Sequence, residues 1–101
     1  MIEKRRTRQK AEMKVTFTIP LLWLDRPVSV VGDFNGWDPT ATPMKKKGTV
    51  WTATVTLQKG CKYRFRYLDT LGRWHDDPTA DDVEASGGGS TNCVIDLNGD
   101  M

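Results

Sequence analysis

Histidine occurs once, at His75, cysteine only twice, at Cys61 and Cys93, and no apolar run approaches the roughly 20 residues that cross a bilayer. Each scarcity excludes a class of function. With a single histidine, any Ser-His-Asp or Cys-His constellation must be built on His75, and neither cysteine reads as an exposed turn nucleophile. No catalytic residue is expected, and the chain reads as a protein that is not itself an enzyme. Two cysteines are too few for a disulfide-built scaffold. Both read as reduced, small apolar residues in strands, able to pair only if those strands are neighbours. No apolar N-terminal segment resembles a signal peptide, so a soluble, cytoplasmic chain with no membrane partner is expected.

Metal and phosphate chemistry is just as poorly supplied. Asp76, Asp77, Asp81, Asp82 and Glu84 cluster as acids do in calcium sites or glycoside hydrolases, but their spacing fits no EF-hand loop. They read as structural acids of a loop over residues 76–90. Gly87, Gly88 and Gly89 lack the lysine and hydroxyl residue of a phosphate loop and read as a flexible connection. No metal and no cofactor are expected.

The net charge of +2 conceals an uneven distribution: Lys4, Arg5, Arg6, Arg8, Lys10 and Lys14 face only Glu3 and Glu12 at the N-terminal end. Residues 1–13 read as a basic, flexible arm with too few apolar residues to give a helix a face to bury. The aromatic residues lie outside this basic field, so a nucleic-acid groove, which interleaves the two, is not expected.

What the chain does have is alternation. A length of 101 residues supports one core. Val15, Phe17 and Ile19 alternate with Thr16 and Thr18 until Pro20, and Val28, Val30 and Val31 form a β-branched run that ends at Gly32. Trp51, Ala53, Val55 and Leu57 alternate with Thr52, Thr54 and Thr56. Tyr63, Phe65 and Tyr67 alternate with Arg64, Arg66 and Leu68, and Gly72 turns the chain toward Trp74 and His75. Cys93, Ile95 and Leu97 share one face of a last strand. Residues 38–48, with two prolines and three consecutive lysines, read as an irregular connection. Short strands at this spacing predict an all-β, immunoglobulin-like antiparallel β-sandwich over residues 14–98, with a tail at 99–101.

Four tryptophans then need separate reasons. Trp51 shares strand parity with the core, and Trp23 reads as a cover for one end of the sandwich. Trp37 ends the turn Gly32, Asp33, Phe34, Asn35, Gly36, and Trp74 stands at a strand end beside polar neighbours. An exposed indole is a stacking surface for the apolar face of a sugar, because each sugar hydroxyl exchanges water for its new partner and nets only ~0.5–1.5 kcal/mol. Arg64 and Asn92 are suitable hydroxyl partners.

The GDFNGW turn, Tyr63 to Phe65 as YRF, Trp74, Asp77 with Pro78, and Asn92 before a final strand together resemble carbohydrate-binding module family 48. The chain is similar to the glycogen-binding domain of the AMP-activated protein kinase beta subunit and to the early-set N-terminal domains of isoamylases. The resemblance implies an early-set fold and an α-1,4-glucan such as glycogen or starch as partner. It implies Trp37 and Trp74 as stacking platforms, with Arg64, Ser90 and Asn92 on the family's hydroxyl-binding positions. Gly88 stands where the kinase subunit has a leucine, and the turn over residues 69–73 is longer. Two alternatives stay open: an early-set domain whose aromatic patch and basic arm contact a protein, and an accessory domain of a family 13 glycoside hydrolase system without activity of its own.

Overall fold

The computed structural model describes residues 2–8, 11–87 and 90–98. Its strands are β1 (Ile2–Arg6), β2 (Glu12–Pro20), β3 (Val28–Gly32), β4 (Lys45–Lys47), β5 (Val50–Gln58), β6 (Lys62–Asp69), β7 (Trp74–His75), β8 (Asp82–Gly87) and β9 (Ser90–Asp96). One sheet has the order β1-β2-β5-β4 and the other β3-β6-β9-β8, with β7 on β6, and every pairing is antiparallel. No α-helix occurs among the described residues, and no helix there is long and apolar enough to cross a membrane.

The alternating sequences explain the two layers. Met13, Val15, Phe17 and Ile19 of β2 are buried while the residues between them turn outward. The same parity sends Phe65 and Tyr67 of β6 and Cys93 and Ile95 of β9 into the core. Phe17 lies at the centre, its ring 5.1 Å from Phe65, 5.9 Å from Phe34 and 6.3 Å from Tyr67. Burying each such side chain stabilises the fold by roughly 1.5–3 kcal/mol.

The N-terminal segment differs from the solvated arm that its charge suggests. Ile2–Arg6 is an edge strand paired with β2, and Ile2 packs on the core. Lys4 lies opposite Val15, on the inner side of the sheet edge. Its ammonium donates to Asp81 Oδ2 at 2.7 Å and to the Asp96 carbonyl at 3.2 Å, which ties the first sheet to the second. A charge run read in isolation gives no hint of a partner 77 residues away.

Three further readings change. Lys45–Lys47, inside the supposed irregular connection, pairs with β5 as a short edge strand. Asp82–Gly87, inside the supposed loop, pairs with β9 across a register shift between Ala85 and Gly87. Backbone pairing needs no apolar alternation, so neither strand shows a period. Cys61 lies outside any strand, exposed at the turn between β5 and β6, whereas Cys93 is buried in β9, and both are free thiols. The tail at 99–101 and the glycines at 88 and 89 lie outside the described residues.

Candidate functional site

The turn after β3 is built residue by residue for close approach. A Cβ added at Gly32 would lie 2.5 Å from the Arg64 carbonyl oxygen and 2.9 Å from Phe34 and Phe65, so only glycine fits. Residues Asp33–Asn35 make one 3-10 turn, with Phe34 directed onto the core. Asn35 pins the turn: Oδ1 accepts from the Gly32 N–H, and Nδ2 donates to the Val30 carbonyl and Thr42 Oγ1. Gly36 and Trp37 follow with φ of 66° and 59°. A left-handed conformation is uncommon for a bulky aromatic residue and stores strain. The Trp37 N–H donates to the Gly32 carbonyl at 2.9 Å, which helps hold the residue there.

Asp33 joins the turn to β6. Its Oδ1 accepts from Trp37 Nε1 at 2.9 Å, and its Oδ2 accepts from the Arg64 backbone N–H at 2.8 Å and Arg64 Nε at 3.1 Å. Burial pushes the carboxyl pKa up, but these donors outweigh it and hold the group below the usual carboxylate value. One side chain therefore orients both a predicted platform and its predicted arginine.

The second tryptophan comes from the β6–β7 hairpin. Buried Asp69 organises it: Oδ1 accepts from the N–H groups of Leu71 and Arg73, and Oδ2 lies 2.7 Å from His75 Nε2 and accepts from Arg26 Nη1 at 3.3 Å. The bond to His75 leads these contacts in pulling the Asp69 pKa well below its ordinary value. With Gly72 at φ 77°, the hairpin sets Trp74 opposite Leu68.

Trp37 and Trp74 thus meet, their ring centroids 6.5 Å apart and their planes at 60°. Their rings form an open angle. The Arg66 guanidinium stands 5.6 Å from the Trp74 ring centre, and its Nε donates to Asp76 Oδ1 at 2.9 Å. Trp74 remains 43% exposed. The aromatic pair lies over the outer face of the second sheet, where Val31 opposes Arg66 and Val94 opposes Arg64. Both valines are fully buried though they face away from the core. The side chains of this face cover them.

Asn92 and Ser90 share the outer side of β9 with Val94 by strand parity. Asn92 is half-buried opposite Glu84, and Ser90 is exposed opposite Gly87. β3 takes one flank of β6 over Phe65–Asp69, so β9 and β7 share the other flank and Asn92 falls on the Trp74 side of the sheet. Position 88, where the resemblance lacks its leucine, is outside the described residues. Sequence reasoning missed Asp33 and Arg66. Asp33 stood inside the quoted motif, and Arg66 had the same outward parity as Arg64.

The acids are structural in part, as expected. Asp77 is buried, accepting from the Tyr67 hydroxyl at 2.6 Å and from Thr79 N–H and Oγ1 at 2.8 and 2.7 Å. Burial alone would raise its pKa, and the hydrogen bonds reverse this to a net lowering. Asp81 accepts from Lys4 and from the Asp96 N–H. No group of three or more potential ligands among the described residues could hold a metal ion.

Two antiparallel sheets packed face to face, with aromatic side chains presented at a strand-end turn, define an early-set, immunoglobulin-like binding domain. The sequence model of Carbohydrate-binding module 48 (Isoamylase N-terminal domain) matches residues 25–81, and the chain belongs to this family of non-catalytic binding modules. A 1,4-alpha-glucan branching enzyme GlgB of Butyrivibrio fibrisolvens is 39% identical over 77 residues, which cover 71% of this chain and 12% of that enzyme. The GlgB of Rhodopirellula baltica is 45% identical over 65 residues, covering 54% of this chain and 8% of that enzyme. The chain spans only 7–12% of the length of the curated relatives it matches. Among solved structures, the enterobactin esterase FES from Shigella flexneri superposes with a TM-score of 0.69 at 17% identity, over 95% of this chain and 32% of that one. That likeness shows the fold alone.

Proposed function

We propose that this domain binds an α-1,4-glucan of the glycogen or starch type on the outer face of its second sheet. The observation that carries the reading is the meeting of Trp37 and Trp74, brought from distant parts of the chain to a 6.5 Å separation, with Trp74 43% exposed and Trp37 half-buried beside it. Two indoles at 60° suit a chain whose successive sugars turn relative to one another, as α-1,4-linked glucose does. Flat ribbons of β-linked sugar need coplanar platforms. Arg64 and Asn92, with Ser90 beyond, supply hydroxyl partners on the same face. The names of the relatives point the same way, since they are 1,4-alpha-glucan branching enzymes. The domain makes no bond and breaks none; it holds polymer near whatever enzyme accompanies it.

Gel retardation in glycogen and calorimetry with linear malto-oligosaccharides test the reading. The unsubstituted domain binds both, and Trp37→Ala with Trp74→Ala abolishes retardation. Binding that survives the double substitution would refute the platform, and absence of binding by the wild type would refute the glucan.

A further inference from the structure

Trp23 was expected to close one end of the sandwich, yet it is 57% exposed. Its loop is fixed all the same. The Trp23 N–H donates to the Pro20 carbonyl at 2.9 Å, Leu24 is buried, and Trp51 Nε1 donates to the Leu24 carbonyl at 2.8 Å. An indole displayed by a braced loop gives up little conformational freedom on binding.

Beside Trp23 a cavity of about 80 Å³ opens between the two sheets along β7, lined by Ile19, Leu24 and Tyr67 and by the polar His75, Asp76 and Asp77, of which Asp77 is already bonded to Tyr67 and Thr79. The cavity is a small cleft, with room for a substituent such as a hydroxymethyl arm beside water. His75 offers Nδ1, since Nε2 already meets Asp69, and Asp76 is exposed beside its bond to Arg66. An accessible aromatic face next to a carboxylate and an imidazole is what a sugar residue requires.

The cavity is also the neighbour of the aromatic pair. Trp74 and His75 are the two residues of β7, so they point to opposite sides of it, and β7 pairs only with β6. Asp76 lines the cavity and holds the arginine that lies over Trp74. A chain leaving Trp74 reaches the cavity by passing around β7, from the outer face of the sheet to its inner side.

Building on the glucan reading, we infer that Trp23 and this cavity form a second subsite, which takes a further glucose residue of the same chain once that chain passes over β7. The subsite stacks the ring on Trp23 and admits its hydroxymethyl arm toward His75 and Asp76. Long glucans gain from it and short ones do not.

Calorimetry with maltotriose and maltoheptaose on the wild type, Trp23→Ala and Trp23→Phe tests this. Trp23→Ala weakens maltoheptaose binding about five- to tenfold, the size of one stacking contact, leaves maltotriose unchanged, and Trp23→Phe restores most of the loss. Independently of any substitution, maltoheptaose shifts the Trp23 indole N–H resonance of the wild type and maltotriose does not. Unchanged maltoheptaose affinity in Trp23→Ala, or an equal loss for both lengths, overturns the subsite while leaving the primary platform standing. A change of sedimentation in Trp23→Ala without a change in sugar binding overturns it in favour of contact between copies. Failure of the wild type to bind either sugar overturns the glucan reading itself.

Discussion

Replacing Asp33 by alanine removes three hydrogen bonds at once, and the structure sets what each is worth. The bond from the Arg64 N–H stands in for a ladder bond where β3 ends, and leaving that donor without its partner costs about 1 kcal/mol. The bond from Trp37 Nε1 adds roughly 0.5–1 kcal/mol, since the indole is only half-buried. The Arg64 guanidinium adds little, because its side chain is 53% exposed and the ion pair is screened. The sum is about 2 kcal/mol, which for a domain of this size lowers the melting midpoint by about 8–16 °C. Thermal denaturation followed by circular dichroism measures it. A double-mutant cycle with Trp37→Phe, which deletes the indole N–H bond together with part of the ring that faces Trp74, cancels the ring loss between the two backgrounds and returns a coupling of ~0.5–1 kcal/mol. Glucan affinity of Asp33→Ala falls with it, because Trp37 and Arg64 lose their common anchor. A midpoint lowered by less than about 3 °C, or a cycle additive within error, would refute the reasoning that Asp33 organises this face.

Other expectations are more local. Gly32→Ala forces a methyl group against the Arg64 carbonyl within a paired strand, and stability falls by about 1–3 kcal/mol in urea unfolding; a neutral result would show that the strand can yield. Trp37→Asn relieves the left-handed strain of a bulky residue while deleting its ring, so stability changes by less than about 1 kcal/mol and glycogen retardation is lost. Asp69, held as the carboxylate by its partners, contributes stability that is full above its ordinary pKa of 3.8 and is lost as pH falls through its lower native value. The melting midpoint of the wild type therefore drops more steeply below pH 4 than that of Asp69→Asn, and parallel pH profiles would exclude this role. Under native conditions a thiol reagent modifies Cys61 alone, and Cys93 reacts only after unfolding; equal native reactivity would contradict its burial.

Alternation in β2, β5, β6 and β9 made the sandwich legible in the sequence, because burying one face of a strand leaves a period of two that any reader can count. The turn motif was legible for the same kind of local reason: glycine, asparagine and a terminal tryptophan carry its geometry in their own chemistry. Tertiary structure alone decided what no local rule encodes. It converted the basic arm into an edge strand by giving Lys4 a partner in Asp81, and it made strands of Lys45–Lys47 and Asp82–Gly87, which are held by backbone pairing and leave no side-chain period. It also fixed the distance and angle between Trp37 and Trp74. Those depend on the register of β3, β6 and β7, and on two carboxylates, Asp33 and Asp69, whose partners come together only when the second sheet forms.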